Sequence, residues 1–196
     1  MNVPDAARRS GRRQLLLVAS LFVVPLVAAA LLYYLSDWRP VVNSQGTLVD
    51  PPVTLTASGL ERVDGDPAPG DVFERQWSLL HPAAVCDERT QAILDQLRRV
   101  RLALDKDATR VRRVLLHAGA CANARFVSSD ADLVVLTATG TAGSATLARI
   151  PPAVDGAHGI YIVDPHGNLI MSYPASGSAR GLLKDLERLL RLSNIG

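Results

Sequence analysis

An apolar run from Leu15 to Leu35, broken only by Ser20 and Pro25, constrains this chain more than any other feature of it. A transmembrane helix needs about 20 such residues, and at a rise of about 1.5 Å each that length matches a bilayer core roughly 30 Å thick. A cleaved secretory signal has a shorter apolar region, about 7–15 residues, ending at a small-residue site. Here the apolar character continues past Ala28-Ala29-Ala30 through Leu31-Leu32-Tyr33-Tyr34-Leu35. The segment is apolar all round rather than striped, and Tyr33, Tyr34 and Trp38 stand at one end, where an interfacial belt belongs. An uncleaved single-pass anchor over residues 15–36 is therefore expected, and a proline such as Pro25 is tolerated in one.

Orientation follows from Arg8, Arg9, Arg12 and Arg13, which lie just before the span, because positive residues are retained on the cytoplasmic side. Residues 1–14 read as a basic cytoplasmic tail, and everything after the span is exported. The tail carries those four Arg against Asp5, so with a net charge of +2 overall the rest of the chain sums to about −1. That balance supplies no basic footprint for nucleic acid. Arg98, Arg99, Arg101, Arg110, Arg112 and Arg113 are interleaved with acidic residues and read as a solvated helix face.

Residues 37–70 are rich in Pro and Gly and read as an extended linker, with Val53-Thr54-Leu55-Thr56 as a candidate edge strand. From residue 71 onward the pattern tightens into one domain. Phe73 to Leu80 has a strand rhythm, and Asp87 to Leu104 places Ile93, Leu97, Val100 and Leu104 at helical spacing. Val111 to His117 and Leu133 to Leu136 are two further apolar strands, and strands alternating with helix imply parallel crossovers. Ile160–Val163 and Leu169–Tyr173 flank the turn residues Asp164-Pro165-His166-Gly167-Asn168 and predict a β-hairpin. Ser178 to Leu192 repeats Leu182, Leu183, Leu186, Leu189 and Leu190 on one face, an amphipathic closing helix. The order β-α-β-(α)-β-β-α, parallel first and antiparallel last, predicts an α/β domain of the thioredoxin-like kind, a central mixed sheet flanked by helices.

Two cysteines occur in the chain, Cys86 and Cys121, and export puts both in an oxidising compartment. Cys86 falls where the first strand of that domain passes into its first helix, the place where a helix N-terminus stabilises a thiolate. Arg89 and Thr90 stand where a CxxC or CxxxC partner would be, so dithiol exchange through a neighbouring thiol is not available. Cys121 follows the next strand, and if those strands are neighbours both cysteines reach one sheet edge. Three readings stay open there: a Cys86–Cys121 disulfide, a soft metal site drawing on Cys86, Cys121, His117 and His158 that would suit Cu(I), or Cys121 and His117 as incidental loop residues. His81 and His166 read as loop and turn residues. No Ser/His/Asp motif, P-loop, GxGxxG or HExxH is present.

Four stretches together carry a resemblance. They are the anchor running into Trp38-Arg39-Pro40 and Asn43 to Pro51; Trp77-Ser78-Leu79-Leu80 leading to Cys86; Gln96-Leu97-Arg98-Arg99-Val100-Arg101; and Ile160 to Leu169 followed by Leu183-Lys184-Asp185-Leu186 to Gly196. In this combination the chain resembles the membrane-anchored, Sco-related thioredoxin-like proteins of proteobacteria associated with cytochrome c oxidase biogenesis. The resemblance implies an inner-membrane protein with a cytoplasmic N-terminus and a periplasmic domain, and cytochrome c oxidase subunits or assembly factors as partners. Sco-type copper chaperones hold copper with a CxxxC pair and a distal histidine. Carried over, that gives Cys86 as first ligand, Thr90 in the second cysteine's place, and His158 nearer the strand tyrosine than the distal histidine stands. The resemblance thus implies an assembly factor with an incomplete redox motif, with a Cu(I) chaperone or a thiol-disulfide enzyme acting through Cys86 and Cys121 as the alternatives.

Overall fold

Seven strands, β1 (Thr47–Thr54), β2 (Leu60–Arg62), β3 (Trp77–Ala83), β4 (Val111–His117), β5 (Leu133–Ala138), β6 (Ile160–Val163) and β7 (Asn168–Tyr173), form one mixed sheet in the order β1-β7-β6-β3-β4-β5-β2. The structure is a computed structural model that describes residues 17–28, 30–31, 44–119, 121, 130, 132–153, 159–193 and 195. They belong to two units, Met1–Asn43 and Ser44–Gly196.

In the first unit residues 17–28 and 30–31 are helical and exposed, and among the described residues no helix is long and apolar enough to cross a membrane. The basic tail with Arg8, Arg9, Arg12 and Arg13, and the aromatic end with Tyr33, Tyr34 and Trp38, lie outside the described residues.

In the second unit β3 is buried at every position and runs between a parallel β4 and an antiparallel β6. A strand covered on both faces needs a nearly continuous apolar run, and Trp77-Ser78-Leu79-Leu80 begins one. The predicted strand at Phe73–Leu80 is thus shifted. Phe73 to Gln76 instead form a turn in which Arg75, at φ +69°, donates its N–H to the Pro165 carbonyl at 2.8 Å. Among the described residues three α-helices cover the sheet: α1 (Glu88–Ala103), α2 (Gly140–Ala148) and α3 (Ala179–Leu192). Asp87 caps α1 and Ser178 caps α3, each accepting a backbone N–H of the first turn. The helices predicted over Asp87–Leu104 and Ser178–Leu192 and the β6–β7 hairpin therefore form where the periodicity and turn residues place them, whereas the helix expected between Val111–His117 and Leu133–Leu136 falls mostly outside the described residues.

The core has two sides. Ile93, Leu97 and Val100 of α1 and Leu182, Leu186 and Leu190 of α3 pack on Leu79, Ile160 and Ile162. Across the sheet, Leu55, Leu60, Val72 and Phe73 pack on Leu80, Leu116, Tyr161 and Leu169. The Pro- and Gly-rich stretch thus supplies both edge strands from residue 44 onward and the cover of one sheet face, in place of a free extended linker. Its prolines fit because Pro51 and Pro52 sit in β1, an edge strand with a register shift between Leu48 and Val53, where a missing N–H leaves no ladder bond unmade.

Candidate functional site

Ala83 and His117 are register partners at the C-terminal ends of the parallel strands β3 and β4, so the chain leaves both strands at one edge of the sheet. Cys86 follows β3 and Cys121 follows β4, and at that edge they are joined in a disulfide with Cα atoms 5.1 Å apart and a sequence separation of 35. That Cα spacing is within the span a disulfide requires. The two halves are unequally exposed. Cys121 is fully buried against Ala83, Leu94, Leu115, Leu133 and Val135, whereas Cys86 is half-buried. A thiol arriving from solvent therefore meets Cys86 first, with Cys121 as the sulfur displaced. A groove lined by His81, Val85, Asp87, Arg89, Thr90 and Ala175 borders this turn.

Local structure gives the residue in the second cysteine's place a different role. Asp87, the N-cap of α1, accepts the Thr90 N–H at 3.0 Å, and the buried Thr90 hydroxyl donates to the Val85 carbonyl at 2.8 Å. Thr90 fills the position of a CxxxC partner and fastens the helix to the turn that carries Cys86. The Thr90 N–H also holds the Asp87 carboxyl below the ordinary carboxylate value.

His117 is the last residue of β4 and is buried, 1% exposed. Its Nδ1 accepts the Gly119 N–H at 2.9 Å and lies 3.4 Å from the Cys121 N–H. Since Nδ1 is an acceptor the ring proton belongs on Nε2, which lies 3.4 Å from Thr137 Oγ1. Burial lowers the His117 pKa below its usual value, which favours this neutral ring. His117 is therefore built into the Cys121 turn and is not an incidental loop residue.

Two further expectations need correction. His81 lies inside β3, 3% exposed, with Nδ1 at 2.9 Å from the Gly159 carbonyl, because the strand continues through Pro82 to Ala83. Arg112 and Arg113 belong to β4, not to a solvated helix face. Arg113 is 1% exposed and binds the half-buried Asp130 through two 2.7 Å hydrogen bonds, so its buried charge has a partner. The alternation of β4 was the available signal, since Val111, Arg113, Leu115 and His117 share a face. His166 is an exposed turn residue whose N–H donates to Asp164 at 2.9 Å.

His158 lies outside the described residues, and among the described residues no group of three or more His, Cys, Asp or Glu is placed to hold a metal ion. With both sulfurs in a disulfide and the Thr90 hydroxyl engaged by Val85, the residues present do not assemble the CxxxC copper set.

Residues 77–193 match a family profile described as the transmembrane-like, thioredoxin-like C-terminal domain, and residues 4–36 match its transmembrane-like N-terminal domain. The chain belongs to this transmembrane-like, thioredoxin-like family. No curated protein matches the sequence. Among solved structures, the fold resembles apo Sco1 of Thermus thermophilus at 17% identity and TM-score 0.60, covering 77% of this chain and 99% of that one. It also resembles copper-bound ScoI of Arabidopsis thaliana at 15% identity and TM-score 0.58, covering 72% and 99%. BsSco, described with a disulfide switch as a member of the Sco family of cytochrome c oxidase assembly proteins, matches at 12% identity and TM-score 0.52, covering 75% and 100%. At these identities the likeness establishes a shared thioredoxin-like fold, in which the neighbours are Sco proteins.

Proposed function

We propose that this protein is a membrane-tethered accessory factor for cytochrome c oxidase assembly, with residues 15–36 spanning the inner membrane and the folded unit from Ser44 onward acting in the periplasm as a docking domain. The observation that carries the reading is the Sco-like fold whose leading cysteine, Cys86, is bonded to Cys121 instead of to a cysteine one helical turn away. On this reading the domain acts as a docking platform without the CxxxC pair of the Sco copper chaperones it resembles. Deleting the gene is expected to lower assembled oxidase activity in membranes, and the full chain is expected to restore it. Unchanged oxidase activity in the deletion strain would sink the reading.

A second reading is thiol-disulfide exchange, favoured by the asymmetry between half-buried Cys86 and fully buried Cys121. The double variant Cys86→Ser/Cys121→Ser separates the two readings: a docking platform still restores oxidase, and an exchange protein does not. Cu(I) is the competing cofactor, supported by the copper-bound Sco neighbours, and would need Cys86 and Cys121 reduced, with His158 as the third donor. Copper retained by the reduced chain and lost in Cys86→Ala would favour it; equal, negligible copper in both would remove it.

A further inference from the structure

We propose that His117 is a positioning residue for the cysteine pair: its Nδ1 gathers the Gly119 and Cys121 N–H groups and thereby presents Cys121 to Cys86. The inference rests on the thiol-exchange reading and deepens it.

Two backbone donors converge on one imidazole nitrogen, at 2.9 and 3.4 Å. The ring is itself fixed, since it is 1% exposed, ends a fully paired strand and lies with Nε2 at 3.4 Å from Thr137, its register partner in β5. Gly119 between them has φ +90°, a conformation that turns the chain back over the ring and that a side chain would strain; a Cβ there would meet nothing within 4 Å, so glycine is needed for the backbone and not for space. Strand, ring, glycine and cysteine therefore form one built turn. While the disulfide is closed, the covalent bond holds Cys121 in place. Once it opens, this turn is what keeps the Cys121 sulfur at high local concentration beside Cys86, and so it biases the closing equilibrium.

The exchange balances as follows. A reductant thiolate attacks the Cys86 sulfur, the Cys86–Cys121 bond breaks, and Cys121 leaves as a thiolate that takes a proton. A second thiol of the reductant then displaces Cys86 from the mixed disulfide, releasing it as a thiol. Two electrons and two protons pass to the protein, and the reductant becomes its own disulfide. Closure is the reverse.

The test equilibrates the full chain in detergent with graded ratios of reduced to oxidised dithiothreitol and counts free thiols by alkylation and mass. His117→Leu removes the acceptor, and His117→Gln places its amide near the Nε2 site while leaving nothing at Nδ1. His117→Asn returns an oxygen close to the Nδ1 position. A hydrogen bond of this kind shifts an equilibrium by roughly 2- to 10-fold. The Leu and Gln variants should therefore reach half-reduction at about a tenfold less reducing ratio than wild type, and the Asn variant within about threefold of wild type. If the Leu chain does not fold, the Gln and Asn pair decides. Leu or Gln chains that titrate with wild type, or an Asn chain displaced as far as Gln, would overturn the role of His117 and leave exchange standing. A wild-type bond that no ratio opens would overturn the exchange reading and this inference with it.

Discussion

Asp185 sits buried on α3 and accepts three hydrogen bonds, from the Gln45 N–H at 2.7 Å, the Gly46 N–H at 3.1 Å and the Tyr173 hydroxyl at 3.0 Å. One carboxylate thereby ties the start of the second unit to β7 and the closing helix. Burial, with the carboxylate beside it, pushes the Tyr173 hydroxyl well above its usual pKa, so it stays a donor. Asp185→Ala leaves these three donors without their acceptor, and denaturant titration should register a loss of about 3 kcal/mol or more. The Arg113–Asp130 pair gives a pH dependence. Arg113 holds the Asp130 carboxyl below its ordinary value of 3.8, and a carboxyl whose folded pKa is depressed stabilises the fold above the unfolded pKa. That contribution is present at neutral pH and is lost as pH falls below about 4 and through the folded value. Asp130→Asn should cost about 2–4 kcal/mol at pH 7, and the gap to wild type should begin to narrow once pH falls below about 4; a gap that stays constant through acid would contradict the pairing. Such pairs are hard to read in sequence, because Arg113 and Asp130 meet only through the fold.

Glycine decides where α2 can lie. Gly59, at φ +72°, and Gly143 bring the loop before β2 against the first turn of α2, and a Cβ on Gly143 would collide with the Gly59 carbonyl. Gly143→Ala adds intrinsic helix preference of about 1 kcal/mol yet should still destabilise, because that contact is backbone on both sides and cannot yield. A midpoint in thermal unfolding raised above wild type would show that the loop can move away. Elements differ in how readable they are for related reasons. The helix α1, the closing helix α3 and the β6–β7 hairpin carry periodic leucines or Pro-Gly turn chemistry, which act locally and survive as pattern. The helix α2 reads Gly-Thr-Ala-Gly-Ser-Ala-Thr-Leu-Ala, small residues without an apolar stripe, and β2 is only Leu60–Arg62. Both are specified by what they pack against. Thr90 was legible as a missing cysteine, whereas its bond to Val85 and the grip of His117 on the Cys121 turn depend on geometry that spacing does not encode.

Across the whole molecule, the Pro- and Gly-rich stretch bears on how the proposed tether would work. If residues 15–36 are the anchor proposed above, the folded unit begins soon after it, because residues from Ser44 onward belong to that unit, with Leu55, Leu60, Val72 and Phe73 buried in its core. A short tether confines a docking domain close to the bilayer and raises its effective concentration toward a membrane-embedded partner, whereas a long one dilutes it. Two outcomes follow from removing residues 1–43. The remaining unit retains its sheet, both sides of its core, the Asp185 network and the disulfide, so its unfolding midpoint should stay within about 2 °C of the full chain, since no interaction named above as holding the fold is lost. Exported behind a cleavable signal, the same unit should fail to restore oxidase activity to a deletion strain at native expression, and should recover activity only when expressed at about a hundredfold higher level or when rejoined to an unrelated membrane helix. Recovery by an unrelated anchor would locate the requirement in tethering itself. Full restoration by the untethered unit at native level would show that the anchor contributes nothing beyond delivery.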